Sequence, residues 1–307
     1  MLSSKKTRIA VIGVGAVGST TAYTLLLRSR MDELVLVDSN KAKAIGDALD
    51  MNHGLPFLGK ARVWAGDYDD CREADIIIIT AGVPQRSGES RIDLLKRNVA
   101  IFENITDEVL KYNKDGIILI ASNPVDIMSY FTWKKSGWPA KRVIGSGTLL
   151  DSSRLRYLIG NKLNIDSRSV HAHIIGEHGD SELAVWSLAN IAGSGISLSD
   201  EEKQEIFVNT RDAAYKIIEA KGATYYAIGL ALDRICTAIL KNEASVLNVS
   251  TLLTNYHGIS DVYLGVPCIV DRNGVRETLT LQLTENEKLL LNKSANKLKG
   301  LIRSIEM

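Results

Sequence analysis

The sequence predicts an α/β protein in which a doubly wound parallel sheet is followed by a second, mixed α/β domain. Two observations carry this. Short β-branched runs alternate with amphipathic helical stretches through the first half, and several of those runs are apolar throughout, as in Ile76, Ile77, Ile78 and Ile79. A strand without alternation needs helices on both faces, which is the environment of a parallel sheet.

Strands are expected over residues 8–13, 34–38, 61–65, 75–80, 116–121 and 142–144. Between them lie helical stretches at 19–27 and 92–112. In the latter, Leu95, Val99, Phe102, Ile105 and Val109 recur at spacings of three and four and mark one buried face. After about residue 145 the rhythm changes, placing a dinucleotide-type domain over 1–145 and a second domain over 146–307. The second half opens with a helix at 149–163 and strand-like runs at 170–175 and 183–188. Two long helices follow, their starts marked by the capping-box pairs Ser199 with Glu202 and Thr284 with Glu287. Strands at 245–253 and 262–270, the second ending in the turn Asp271-Arg272-Asn273-Gly274, lie between them.

Composition narrows the function classes. The 307 residues are 45% hydrophobic and 24% charged, with a formal net charge of +1 and no basic or acidic block. That balance offers no footprint for nucleic acid or an anionic membrane and points to a small-molecule partner. Lys5, Lys6 and Arg8 before an apolar run resemble a signal peptide, but three glycines interrupt the run and no stretch reaches the about 18 apolar residues of a membrane span. Cys71, Cys236 and Cys268 are odd in number and unpaired in spacing, which fits a reducing cytoplasm.

The first strand runs directly into Gly13-Val14-Gly15-Ala16-Val17-Gly18, and a helix follows. This is the dinucleotide fingerprint of the Rossmann fold in its proper context. Gly13 permits the tight turn, Gly15 lets the backbone approach a pyrophosphate, and Gly18 lets helix and strand pack closely. The second strand ends at Asp38, 20 residues after Gly18. A carboxylate there accepts hydrogen bonds from a ribose diol and repels a 2′-phosphate, so NAD is expected over NADP.

Gly176-Glu177-His178-Gly179-Asp180 places a glycine-flanked histidine in a loop after an apolar run. By itself it also reads as a surface residue. Asp151 and Arg154, three apart on one helix, share a face and read equally as a local ion pair or as two members of one pocket. Oxidation of a hydroxy acid explains why all three would be needed. The hydroxyl proton requires a base near neutral pKa, a carboxylate orients that base, and a planar guanidinium matches the substrate's carboxylate.

Thr80-Ala81-Gly82, Gln85-Arg86-Ser87-Gly88-Glu89-Ser90-Arg91-Ile92-Asp93-Leu94, Ser122-Asn123-Pro124-Val125-Asp126, Gly145-Ser146-Gly147-Thr148-Leu149-Leu150-Asp151, Ile175-Gly176-Glu177-His178-Gly179-Asp180-Ser181-Glu182 and Lys221-Gly222-Ala223-Thr224-Tyr225-Tyr226 resemble, in order along nearly the whole chain, the L-lactate dehydrogenase branch of the lactate/malate dehydrogenase family. The resemblance implies a reversible hydride transfer between NADH and pyruvate. His178 would then be the proton donor and acceptor, Asp151 its orienting partner, and Arg154 the ligand of the substrate carboxylate. Arg91, on a mobile loop at 84–90, would polarise the C2 carbonyl. Asn123 would hold the C2 oxygen and the nicotinamide end, and Thr224 would border the methyl side. Gly13, Gly15, Val17, Gly18, Asp38 and Asn123 would contact NAD.

The same resemblance separates lactate from malate at one position. Malate dehydrogenases typically carry an arginine six residues before the mobile arginine, whereas this chain has Gln85 there. An extra substrate carboxylate would face a neutral amide in a closed site. Pro84 and Ser87 depart from the family's common Asn and Pro. A non-catalytic NAD-binding regulator on the same fold would lack the catalytic set. Arg156 lies about 200° around the helix from Arg154, and so faces elsewhere. In bacterial members activated by fructose 1,6-bisphosphate, the positions of Arg156 and His171 bind that effector between subunits, which implies an allosteric homotetramer. His171 and His173 also have the spacing of a metal pair, but no further ligands stand at suitable spacing and no metal is expected.

Overall fold

The computed structural model describes residues 6–83, 88 and 90–306, the side chains of Arg91 and Glu306 excepted. The first half is built as β1 (Arg8–Ile12), α1 (Ala16–Leu27), β2 (Glu33–Val37), α2 (Lys41–Gly54), β3 (Arg62–Ala65), β4 (Ile76–Ile79), α3 (Arg91–Tyr112), β5 (Ile117–Ile120), α4 (Val125–Ser136) and β6 (Val143–Gly145). The second half continues with α5 (Leu149–Leu163), β7 (Val170–His171), β8 (Ile174–Ile175), β9 (Leu183–Ala184), β10 (Asn190–Ile191), β11 (Ser194–Gly195), α6 (Asp200–Arg211), α7 (Ala213–Lys221), α8 (Tyr226–Leu240), β12 (Ser245–Leu252), β13 (Tyr263–Asp271), β14 (Gly274–Thr278) and α9 (Glu285–Glu306).

The six strands of the first half pair in parallel in the order β3-β2-β1-β4-β5-β6, the doubly wound arrangement with its reversal between β1 and β4. All four isoleucines of β4 are fully buried, each contributing roughly 1.5–3 kcal/mol by leaving water. On α3, Leu95, Val99, Phe102, Ile105 and Val109 are buried as their spacing requires. Ser90 caps this helix, its hydroxyl accepting from the Asp93 N–H at 3.1 Å.

The sheet does not stop at β6. Strand β12 joins it antiparallel, with Ser250 opposite Gly145, and β13 and β14 extend it to nine strands. One apolar cluster runs from Ile9 in β1 through Val249 and Val266 to Leu298 and Ile302 in α9. A smaller cluster joins Leu155 and Ile159 of α5 to Val170, Ile174 and Ile206. Both expected capping boxes form. The Ser199 and Glu202 side chains each accept from the other's backbone N–H, at 3.2 and 2.9 Å, and Thr284 and Glu287 do the same at the start of α9.

Several expected elements differ in extent. The long helix from Asp200 is broken at Asp212, which closes α6 and opens α7. The run at 183–188 shortens to β9 and a single 3-10 turn at Trp186–Leu188. Helix α8, which the sequence reading leaves out, packs on α1 and is mostly apolar or buried, with Tyr226, Asp233, Arg234 and Thr237 as its polar side chains.

Candidate active site

The cofactor cleft forms where the parallel strands end. After β1 the chain turns at Gly13 with φ +92°, and a Cβ there would stand 2.6 Å from the Ala81 nitrogen. A Cβ on Gly18 would meet the Gly13 carbonyl oxygen at 1.9 Å, so only glycine lets α1 approach β1 this closely. Gly15 is different, because the space beyond its Cα is open and it caps α1 without a side-chain hydrogen bond. The first-turn N–H groups of α1, that of Val17 among them, have no intrahelical acceptor and sit at the positive end of the helix dipole, a site suited to phosphate. Asp38 lies just beyond β2, its carboxylate accepting from the backbone N–H groups of Val14 at 2.7 Å and Asn40 at 2.8 Å. Gly13, Gly15, Asp38, Thr80 and Gly82 line a cavity of about 800 Å³ at the strand-order reversal. Residues and space therefore fit a dinucleotide.

The proton-carrying cluster comes from three elements. Asp151, in the first turn of α5, is 2% exposed and uses its two oxygens in two directions. Oδ2 lies 2.5 Å from His178 Nδ1, and Oδ1 accepts from Arg154 Nη1 at 2.8 Å. The ion-pair reading of the Asp151 and Arg154 spacing is thus realised. The His178 loop follows β8 and is pinned to β13 by reciprocal backbone hydrogen bonds of 2.9 Å between Gly176 and Gly265. Asp126 of α4 also anchors it, accepting the His178 backbone N–H at 2.9 Å while accepting the Ser250 hydroxyl at 2.5 Å. From α7, Tyr215 donates to Asp180 at 2.9 Å.

Electrostatics follow from this packing. Burial opposes charge on His178, but the Asp151 carboxylate and its hydrogen bond outweigh it and raise the imidazole to about 9. Burial opposes ionisation of Asp151, yet His178 and Arg154 hold its carboxyl below the usual value. Burial pushes Asp126 up to about 6, against its hydrogen bonds from Ser250 and His178. The cluster can therefore hold a proton on His178 Nε2 while Nδ1 is fixed on a carboxylate, and among the described residues Arg154 commits one of its five N–H groups, to Asp151, leaving others for an anion.

The remaining site residues fall around this cluster or outside the description. Asn123 is exposed in the turn leading into α4, three residues before Asp126. Thr224 is half-buried in the turn between α7 and α8. The backbone of Arg91 opens α3, but its side chain lies outside the described residues, as do Gln85, Pro84, Arg86, Ser87 and Glu89. Arg156 is half-buried, its Nε buried with no hydrogen-bond partner among the described residues, beside a cavity of about 440 Å³. His171 is exposed on β7. The ring of His173 binds Asn248 Oδ1 at 3.0 Å, and burial with the nearby charges of Arg156 and His171 lowers its pKa. Asp126 and Glu182 belong to the site without having been singled out individually by sequence. The signal available for Asp126 is a carboxylate between Val125 and Ile127, at the start of an otherwise apolar helical run.

A dinucleotide cleft and, in the same chain, a histidine paired with a buried carboxylate fit a nicotinamide-dependent oxidoreductase. Comparison narrows the class. Residues 7–145 match the lactate/malate dehydrogenase NAD-binding domain, and residues 148–307 match the α/β C-terminal domain of the same family. The chain is 52% identical to L-lactate dehydrogenase of Halalkalibacterium halodurans, covering 99% of each chain. It is 50% identical to the L-lactate dehydrogenase of Acetivibrio thermocellus, covering 98% of each. Among solved structures, the minor L-lactate dehydrogenase of Enterococcus mundtii in its ligand-bound form superposes with a TM-score of 0.96 at 43% identity, covering 98% of this chain and 99% of that one. This chain belongs to the lactate/malate dehydrogenase family, and it is an NAD-dependent enzyme.

Proposed function

We propose that the protein interconverts pyruvate and L-lactate, with residues 1–145 binding NAD and residues 146–307 carrying the proton chemistry. The observation that carries this reading is the bridging of His178 and Arg154 by the single carboxylate of Asp151. That bridge sets a proton donor and an anion receptor side by side.

NAD, when bound, supplies or accepts the hydride. Arg154 takes the substrate carboxylate in a two-point hydrogen bond, which fixes the monoacid's orientation. His178, protonated through its coupling to Asp151, donates from Nε2 to the C2 oxygen during reduction and takes the proton back during oxidation. Asp151 keeps Nδ1 protonated and stabilises the imidazolium. Arg91 closes on the C2 oxygen and stabilises charge developing there, Asn123 holds the same oxygen and the nicotinamide end, and Thr224 borders the methyl group. Gly13, Gly15, Val17 and Gly18 present the pyrophosphate site, and Asp38 takes the ribose diol. Gln85 leaves no cation for a second carboxylate, which favours pyruvate over oxaloacetate.

Regulation belongs to the same reading. Arg156 and His171 both act on the His173 ring, so their charges share one corner of the second half. A corner carrying Arg156, whose buried Nε has no hydrogen-bond partner among the described residues, suits a sugar bisphosphate held between subunits of a homotetramer in the cytoplasm. The described residues include no helix long and apolar enough to cross a membrane.

The test is NADH oxidation with pyruvate and with oxaloacetate side by side, each with and without fructose 1,6-bisphosphate. Preference for pyruvate supports the catalytic reading, and preference for oxaloacetate overturns it. A flat response to the bisphosphate at low pyruvate rejects the effector.

A further inference from the structure

Glu182 stands just before β9, 6% exposed, on the return of the loop that carries His178. Its Oε1 is buried and has no hydrogen-bond partner among the described residues. Atoms of its carboxyl group, of the Asp151 carboxylate and of the His178 ring all lie within 4.8 Å of one another. The charged groups that face it are Asp151 and Arg154 from α5, His178 from its own loop and Arg211 from α6. Arg211 is engaged at 2.8 Å by Asp212, and Arg154 by Asp151. A carboxylate placed beside another, with no donor on one oxygen, favours its neutral acid form.

A cation is a poor alternative occupant, because Arg154 already neutralises the Asp151 carboxylate that a metal would need. A proton meets the same demand without displacing either partner. Burial and the neighbouring Asp151 raise the Glu182 carboxyl to about 9, against the opposing charges of His178, Arg154 and Arg211.

We propose that Glu182 is a positioning residue, protonated while the 2-oxo acid binds, whose ionisation weakens the hold of Arg154 on the substrate and closes the site at alkaline pH. The proposal rests on the pyruvate reading above. With Glu182 neutral, its carboxyl adds no charge to those of Asp151, Asp126, His178 and Arg154 around it. With Glu182 ionised, one more negative charge stands near Arg154 and His178, and the attraction of the site for a monocarboxylate falls.

The experiment is the pH profile of kcat/KM for pyruvate at saturating NADH, for the native enzyme and Glu182→Gln. Each proton the binding form must hold costs about tenfold per pH unit once lost. The native alkaline limb therefore approaches about a hundredfold per unit, from His178 and Glu182 together, and the Glu182→Gln limb only about tenfold. Limbs of equal steepness overturn the role of Glu182. If Glu182→Gln does not fold, the native protein decides by infrared titration with isotopically labelled glutamate. A protonated glutamic acid carbonyl band present near about pH 7 and lost by about pH 10 supports the proposal, and its absence overturns it. Failure of the pyruvate reading itself would appear as no pyruvate turnover, and the infrared titration would still report on Glu182.

Discussion

The backbone N–H of His178 donates to the buried carboxylate of Asp126 at 2.9 Å, so the histidine is held by two aspartates from two helices, one on its main chain and one on its ring. The arrangement separates two tasks. Asp151 sets the proton affinity of the imidazole, and Asp126 sets where the loop stands. Asp126→Asn should lower kcat/KM for pyruvate by about ten- to a hundredfold, the kinetic equivalent of one charge-assisted hydrogen bond of about 1.5–3 kcal/mol. NADH affinity, read by fluorescence titration, should change little.

Asp151→Asn tests the other task. The raised pKa of His178 keeps its proton-donating form present until the pH climbs through about 9. Removing the carboxylate removes the main cause of that elevation, so the alkaline limb for pyruvate reduction should move to lower pH. The rate should also fall, by about 10²–10⁴-fold, from the lost orientation and charge. A limb that stays in place would show that Asp151 does not set the titration.

Asp38→Ser probes the nucleotide end. The serine keeps a short polar side chain but loses the charge that repels a 2′-phosphate. The NADPH to NADH ratio of kcat/KM should rise by about tenfold or more, while NADH binding weakens because Val14 N–H and Asn40 N–H lose a charged acceptor. An unchanged ratio would place the ribose elsewhere.

Gln85→Arg should shift preference toward oxaloacetate, measured as the ratio of kcat/KM values for the two oxo acids. An introduced guanidinium would pair a second carboxylate that the amide leaves bare, a difference of several kcal/mol in a closed site. An unchanged ratio would mean that another residue faces the C3 substituent.

Legibility in the sequence followed periodicity. Strand β4 and helix α3 could be read because four isoleucines and a three-four apolar spacing each have one structural meaning. Helix α8 and strand β14 could not. The first is apolar or buried on most of its surface, and the second is a short edge carrying Arg276 and Glu277. In the site, the fingerprint glycines and Asp38 were legible because strand, turn and helix adjoin in sequence. Asp126 and Glu182 were not, since tertiary packing alone brings α4 and the strand β9 return beside a histidine 52 residues beyond Asp126.

The pairing of Gly145 with Ser250 has a consequence for modularity. Cofactor half and catalytic half share one hydrogen-bonded sheet and one apolar interior, so neither can be cut away as a portable unit. The first half expressed alone would leave β6 as an unprotected sheet edge above exposed core residues, a template for aggregation. Recombining such halves between relatives would require matching the seam at β6 and β12 as well as the chemistry on either side of it.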